Sequence, residues 1–136
     1  MRQIKVAIAS KLRHADFLRK QRLDGFHFNS RWLDTGNLAS NAAKPVTHWL
    51  RENLDDIEAS DMLIGYAEEG EHLKTAIGEI FHAMAHGKPV WLIGDHQDYE
   101  PWGHFYPHIR RARSFEQALS EARQMFSPAA AKMEHQ

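Results

Sequence analysis

Glu79 is the side chain whose setting most suggests chemistry. It lies in the segment 61–90, DMLIGYAEEGEHLKTAIGEIFHAMAHGKPV. There an apolar strand runs into a polar loop, a helix follows with Glu79 near its start, and Gly87-Lys88-Pro89-Val90 turns into a second apolar strand. In an open α/β sheet, ligands bind at the loop after a strand and at the start of the next helix. The positive end of a helix also favours an ionised carboxylate. Glu79 is therefore placed either to act on a ligand or to sit solvated at a helix start.

Other residues with chemical potential surround it in the pattern. Ser10, Lys11 and Arg13 follow the first strand, at the carboxyl edge of the sheet. They could hold a phosphate and a hydroxyl, or be a helix-capping serine with two solvated cations. Trp32 could stack on a base, although a tryptophan ending a strand is more often core or interface. Glu69, Glu71 and His72 precede Glu79 in an acidic loop, and one of them could serve as a general acid. Asn53, Asp55 and Asp56 lie late in a helix, where Asp56 reads as part of a solvated face. His104, Tyr106 and His108 either line the far side of a pocket or pack around Pro107. Glu79, His82 and His86 recur at i, i+3 and i+7, opposite an apolar face of Ile77, Ile80, Phe81 and Met84. That set could bind zinc or iron, but a solvated polar face is the simpler reading, and no metal or other cofactor is assigned.

The elements that position these residues follow from the apolar spacing. Strands are expected over 4–10, from 26 towards 32, over 61–66 and 89–94, with a short fifth over 109–112. Helices are expected over 15–23, with Phe17 and Leu18 inward, over 44–59 with Pro45 in its first turn, and over 75–86 ended by Gly87. Ser114 caps a last helix to about Met125. Residues 34–37 and 95–103 read as loops. Strands alternating with crossover helices give a parallel sheet with right-handed connections. The fold class is α/β, a flavodoxin-like three-layer sandwich with a mostly parallel sheet of about five strands. One domain covers 1–127 and a flexible tail covers 128–136.

Composition narrows the functional classes. A chain of 136 residues with 43% hydrophobic content can bury a real core. A formal charge of −1 and a pI near 6.8 argue against nucleic acid or an anionic membrane as the main partner. Without cysteine there is no disulfide framework and no thiolate metal site. The first strand begins too early for a signal peptide, and no apolar run approaches membrane length, so the expectation is a cytoplasmic protein. Ten histidines make behaviour sensitive to pH between about 5 and 8.

Five local patterns, in order along nearly the whole chain, resemble the nucleoside 2-deoxyribosyltransferase family and its phage-type relatives. They are Ile8-Ala9-Ser10-Lys11-Leu12-Arg13, Ser30-Arg31-Trp32-Leu33, Asp55-Asp56-Ile57-Glu58-Ala59-Ser60-Asp61, Glu79-Ile80 through Ala83 and Ala85 to Gly87-Lys88-Pro89-Val90, and Phe105-Tyr106-Pro107-His108-Ile109-Arg110. The Glu79 segment is the most specific of them. Three positions depart from the family pattern: Phe81 and Thr75 stand where glycines are usual, and Leu73 where an acidic or hydroxyl residue is usual.

The resemblance implies that Glu79 is the nucleophile that attacks C1′ of a 2′-deoxyribonucleoside and releases the base. A carboxylate suits this step, because it stabilises an oxocarbenium-like transition state and then bonds to C1′. A second base, or water, then takes the sugar. In the family an acidic group near Asn53 and Asp55 helps position the sugar or base; with these two, Ser10, Lys11, Arg13, Trp32, Glu71 and Thr75 are the candidate substrate-binding residues. The implied partner is a nucleoside or nucleotide, and the implied assembly a homodimer or larger, with Trp49 and Leu50 suited to the interface. The departures at Leu73, Thr75 and Phe81 motivate the alternative, a non-catalytic nucleotide-binding module of the same fold; a metalloenzyme using Glu79, His82 and His86 is the third reading.

Overall fold

The computed structural model describes residues 2–35, 46–96 and 109–127. The strands are β1 (Ile4–Ala9), β2 (Phe26–Phe28), β3 (Met62–Ala67), β4 (Val90–Gly94) and β5 (Ile109–Ala112). They form one sheet in the order β2-β1-β3-β4-β5, with every neighbouring pair parallel. Val6 is in register with Met62, Leu63 with Val90, and Val90 with Ile109.

The helices are α1 (Ala15–Arg19), preceded by a 3-10 turn at Leu12–His14, α2 (Trp32–Thr35), α3 (Val46–Glu58), α4 (Thr75–Ala85) and α5 (Phe115–Met125). Strand residues point to opposite faces in alternation, so an apolar run feeds two cores at once. Ala7, Ala9, Leu63 and Leu92 meet Ile57 of α3 and Ala76, Ile80 and Ala83 of α4. Val6, Ile8, Met62, Ile64 and Trp91 meet Leu18, Leu33, Phe115 and Leu119 on the other face. Sheet faces covered on both sides are why the central strands read as continuous hydrophobic runs rather than alternating ones. This is the expected three-layer sandwich.

The order β2-β1-β3 creates the feature that matters for a site. The chain leaves β1 towards α1 on one face and leaves β3 towards α4 on the other, so the two loops part at the carboxyl edge of the sheet. That is the switch point at which open α/β sheets bind ligands.

Glycine is required where this edge is tight. Gly94 has φ +95°, and a Cβ there would lie 1.8 Å from the Ala67 carbonyl oxygen. The backbone comes that close because Asp95 N donates to the same oxygen at 3.0 Å. Gly87, at φ +72°, ends α4 as expected, with Lys88 N donating back to Ala83 O at 2.9 Å.

Several local expectations are corrected. The first helix is shorter than 15–23, and with Ala15 and Leu18 facing the core, Phe17 falls to the side and is 44% exposed. Its ring rests on Tyr66 at 5.2 Å between centroids. Trp32 opens α2 instead of ending a strand, and residues 34 and 35 are helical rather than loop. Ser114 caps α5 as expected, its Oγ accepting from Gln117 N at 3.1 Å. Pro45, the loop beyond His96, the residues from 104 to 108 and the tail over 128–136 lie outside the described residues. Among the described residues, no helix is long and apolar enough to cross a membrane.

Candidate active site

Glu79 sits in the second turn of α4, and its carboxyl is turned inward rather than to solvent. The residue is 7% exposed and shares the buried face of the helix with Ala76, Ile80 and Ala83. Asn53 Nδ2, from α3, donates to Glu79 Oε1 at 3.2 Å. Burial pushes the Glu79 carboxyl up to about pKa 7, while the Asn53 hydrogen bond works in the other direction. The expectation that a helix start keeps Glu79 ionised is therefore corrected: the first turn of α4 holds no acidic residue, and desolvation dominates one turn later.

The parting loops form a cleft of about 340 Å³ lined by Ser10, Lys11, Leu12 and Arg13 on one side and Leu73, Lys74, Thr75 and Ala76 on the other. It combines two lysines with the N-terminus of α4, whose first backbone N–H groups have no helical acceptor, so its electrostatics favour an anion. Lys74 is the N-cap residue and supplies no side-chain cap. Thr75 and Ala76 precede Glu79 by four and three residues on α4, so all three share one face of the helix. Glu79 is not itself part of the cleft lining; it lies one turn further in.

The implied binding residues divide into those the fold brings here and those it does not. Lys11 and Thr75 line the cleft. Ser10 also lines it, with its hydroxyl donating to Tyr66 O at 2.7 Å. Arg13 lines it too, but its guanidinium is held by Glu71, through Nε at 3.0 Å and Nη2 closer still. His14 Nε2 adds a contact of 3.0 Å to the same carboxylate. Asn53 meets Glu79 directly.

Of the remaining candidates, Glu71, Trp32, Asp55 and Asp56 are engaged by other partners. Glu71 has a side chain only 3% exposed. Burial raises its pKa, but the Glu68 backbone N–H, Arg13 and His14 outweigh that and hold it below the ordinary value. A carboxyl held ionised is not a general acid; Glu71 instead joins the loop after β3 to the loop after β1. Trp32 is 9% exposed and its indole N–H donates to Ile8 O at 2.9 Å, so it packs in the core rather than stacking on a base. Asp55 points away, half exposed and paired with Arg51 Nε at 2.9 Å. Asp56, read as a solvated group, is 7% exposed and binds both Arg31 N at 2.9 Å and Arg31 Nε at 3.0 Å. Ser30-Arg31-Trp32 is thus a structural clamp: Ser30 Oγ accepts from Ile8 N while Trp32 donates to Ile8 O. His104, Tyr106 and His108 lie outside the described residues.

The set Glu79, His82 and His86 does not converge, because Glu79 faces the core while the two histidines are partly exposed. Glu58, which sequence spacing did not single out, takes the third place beside the histidines. Its position at the end of a different helix leaves no trace in periodicity.

No family model matches the chain, and no curated protein matches its sequence. Solved structures do match in three dimensions. A molybdenum cofactor binding protein from Rippkaea orientalis is 15% identical, with a TM-score of 0.65 over 93% of this chain and 99% of that one. The CMP N-glycosidase BcmB of Clostridium botulinum is 18% identical, with a TM-score of 0.55 over 87% of this chain and 96% of that one. A 2-deoxyribosyltransferase from Bacillus psychrosaccharolyticus is 21% identical, with a TM-score of 0.49 over 66% of this chain and 72% of that one. The first two of these share the fold of this chain.

Proposed function

We propose that this protein cleaves or transfers the N-glycosidic bond of a nucleoside or nucleotide, with Glu79 as nucleophile. The observation that carries the reading is the buried Glu79–Asn53 pair one helical turn beneath a cleft at the switch point of the sheet. Asn53 holds one carboxylate oxygen, which leaves the other to attack C1′. The bond from C1′ to the base nitrogen breaks, its electron pair leaves with the base, and the base takes a proton from solvent. Water or a second base then displaces Glu79 from C1′, giving hydrolysis or transfer. The lysines and the helix N-terminus of the cleft suit an anionic substituent on the sugar. The Clostridium botulinum CMP N-glycosidase, which shares the fold, supports this reaction class.

In this reading the protein acts in the cytoplasm and assembles as a homodimer or larger, with Trp49 and Leu50 of α3 at the contact. Both residues are half-buried in the single chain.

A second reading is a nucleotide-binding module without turnover. It is favoured by the position of Glu79 below the cleft lining rather than in it, and by the likeness to a cofactor-binding protein.

The test is chromatography of each 2′-deoxynucleoside and its 5′-monophosphate incubated with the protein, with and without a second free base, beside Glu79→Ala. Base exchange lost in the variant, with circular dichroism unchanged, establishes a transferase; base release without exchange establishes a hydrolase. A fully active Glu79→Ala removes the catalytic reading. A ligand-induced rise in Tm with no product from any substrate selects the binding module.

A further inference from the structure

On the outer side of the α3–α4 pair, Glu58, His82 and His86 bring one ligand atom each to within 4.8 Å of one another. We propose that these three side chains form a binding site for a divalent transition metal of zinc-like coordination, bridging α3 and α4.

The geometry carries the assignment. His82 Nε2 is 3.3 Å from Glu58 Oε2, and His86 Nε2 is 3.6 Å from Glu58 Oε1. With metal–ligand bonds of about 2.0–2.1 Å, neighbouring ligands of a tetrahedron stand about 3.3 Å apart. Each imidazole nitrogen therefore already sits near that spacing from one oxygen of the Glu58 carboxylate. His82 and His86 are four residues apart on one helix and share a face. Their ring centroids are 4.3 Å apart.

The protonation pattern also fits. His86 Nδ1 lies 2.9 Å from the His82 carbonyl oxygen, and donating to it places the proton on Nδ1. The lone pair of Nε2 is then available to a metal, the arrangement that backbone acceptors impose on metal-ligating histidines. Side-chain exposures of 38%, 23% and 41% for Glu58, His82 and His86 leave an entry path and room for a water as fourth ligand.

Two cations adjoin the cluster. Arg51 Nη2 is 2.6 Å from Glu58 Oε2, and an incoming metal would displace it. Arg51 keeps its other partner, Asp55, at 2.8 Å. Lys88 Nζ donates to the Glu58 backbone carbonyl at 3.0 Å and so leaves the carboxylate available. The site stands independently of the reaction proposed above, although it joins the two helices that carry Asn53 and Glu79.

The experiment uses the full chain without a histidine tag, stripped with EDTA, dialysed, and titrated with zinc chloride at neutral pH by calorimetry. One zinc per chain and a zinc-dependent rise in Tm are expected. In His82→Asn, His86→Asn and Glu58→Gln the dissociation constant should weaken by at least about tenfold and the Tm rise should disappear. His27→Asn, on β2 and outside the cluster, should bind as the parent does. No saturable binding, or binding unchanged in both His82→Asn and His86→Asn, overturns the proposal. Circular dichroism of the metal-free variants separates loss of the site from loss of the fold.

Discussion

A single carboxyl group, Glu79, links stability to reactivity. Its pKa in the folded chain is about 7, against 4.5 for an ordinary glutamate. The folded state therefore holds more protons than the unfolded state between these values, and stability falls as pH rises from about 4.5 to 7. The gap corresponds to about 3 kcal/mol, present below the lower value and lost above the upper one. Glu79→Gln keeps an oxygen for Asn53 and removes the charge, so it should be more stable than the parent at pH 8 and show a flatter profile from pH 5 to 8 by urea unfolding. Equal stabilities at pH 8 would mean that the carboxylate is not desolvated. Reactivity runs the other way. If the ionised form attacks C1′, the rate constant for the chemical step should climb with pH and level off above about 7. Glu71 contributes in the opposite sense to Glu79: held below 4.5 chiefly by its hydrogen bonds and by Arg13 and His14 against the pull of burial, it stabilises the fold above that value and ceases to do so on acidification.

Among the elements, α4 carries both the candidate nucleophile and two of the three proposed metal ligands, so its intrinsic stability bears on each. Gly78 is exposed in the interior of this helix, and a Cβ there would meet nothing within 4 Å. Glycine costs roughly 0.5–1 kcal/mol relative to alanine in such a position. Gly78→Ala should therefore raise stability by about that amount, read as a shift in urea midpoint with no change in slope. A destabilised variant would show that the helix needs freedom at this position. Gly65 in β3 is a contrasting case, since a Cβ there would meet Ile80 Cδ1 and Leu92 Cδ2 at 3.0 Å. Small size at Gly65 lets Ile80 of α4 settle onto the sheet.

At the scale of the whole molecule, the proposed assembly predicts a mass by light scattering that is a multiple of 15.7 kDa, and replacing Trp49 with a charged residue should return a monomer. A monomeric parent would remove the assembly from the reading. The layered fold was legible in the sequence because strand runs, the alternation of strands with helices, and the Gly87 and Ser114 boundaries are local signals of backbone geometry and burial. Glu79 was legible as a residue of interest for the same reason, from its place after a strand. Its charge state was not, because desolvation depends on how α3 and the sheet pack against the face of α4 that carries the carboxyl. Asp56 was misread, and the core reading of Trp32 could not be chosen over base stacking, because their partners, Arg31 and Ile8 O, lie more than twenty residues away in sequence. Glu58 was missed for the same reason, beside histidines more than twenty residues further on. Sequence by itself determined the order of elements and the face each must bury, since both follow from periodicity within a single segment. Only the tertiary structure decided which polar groups meet, because hydrogen bonds and ion pairs between segments depend on distances that no local pattern records.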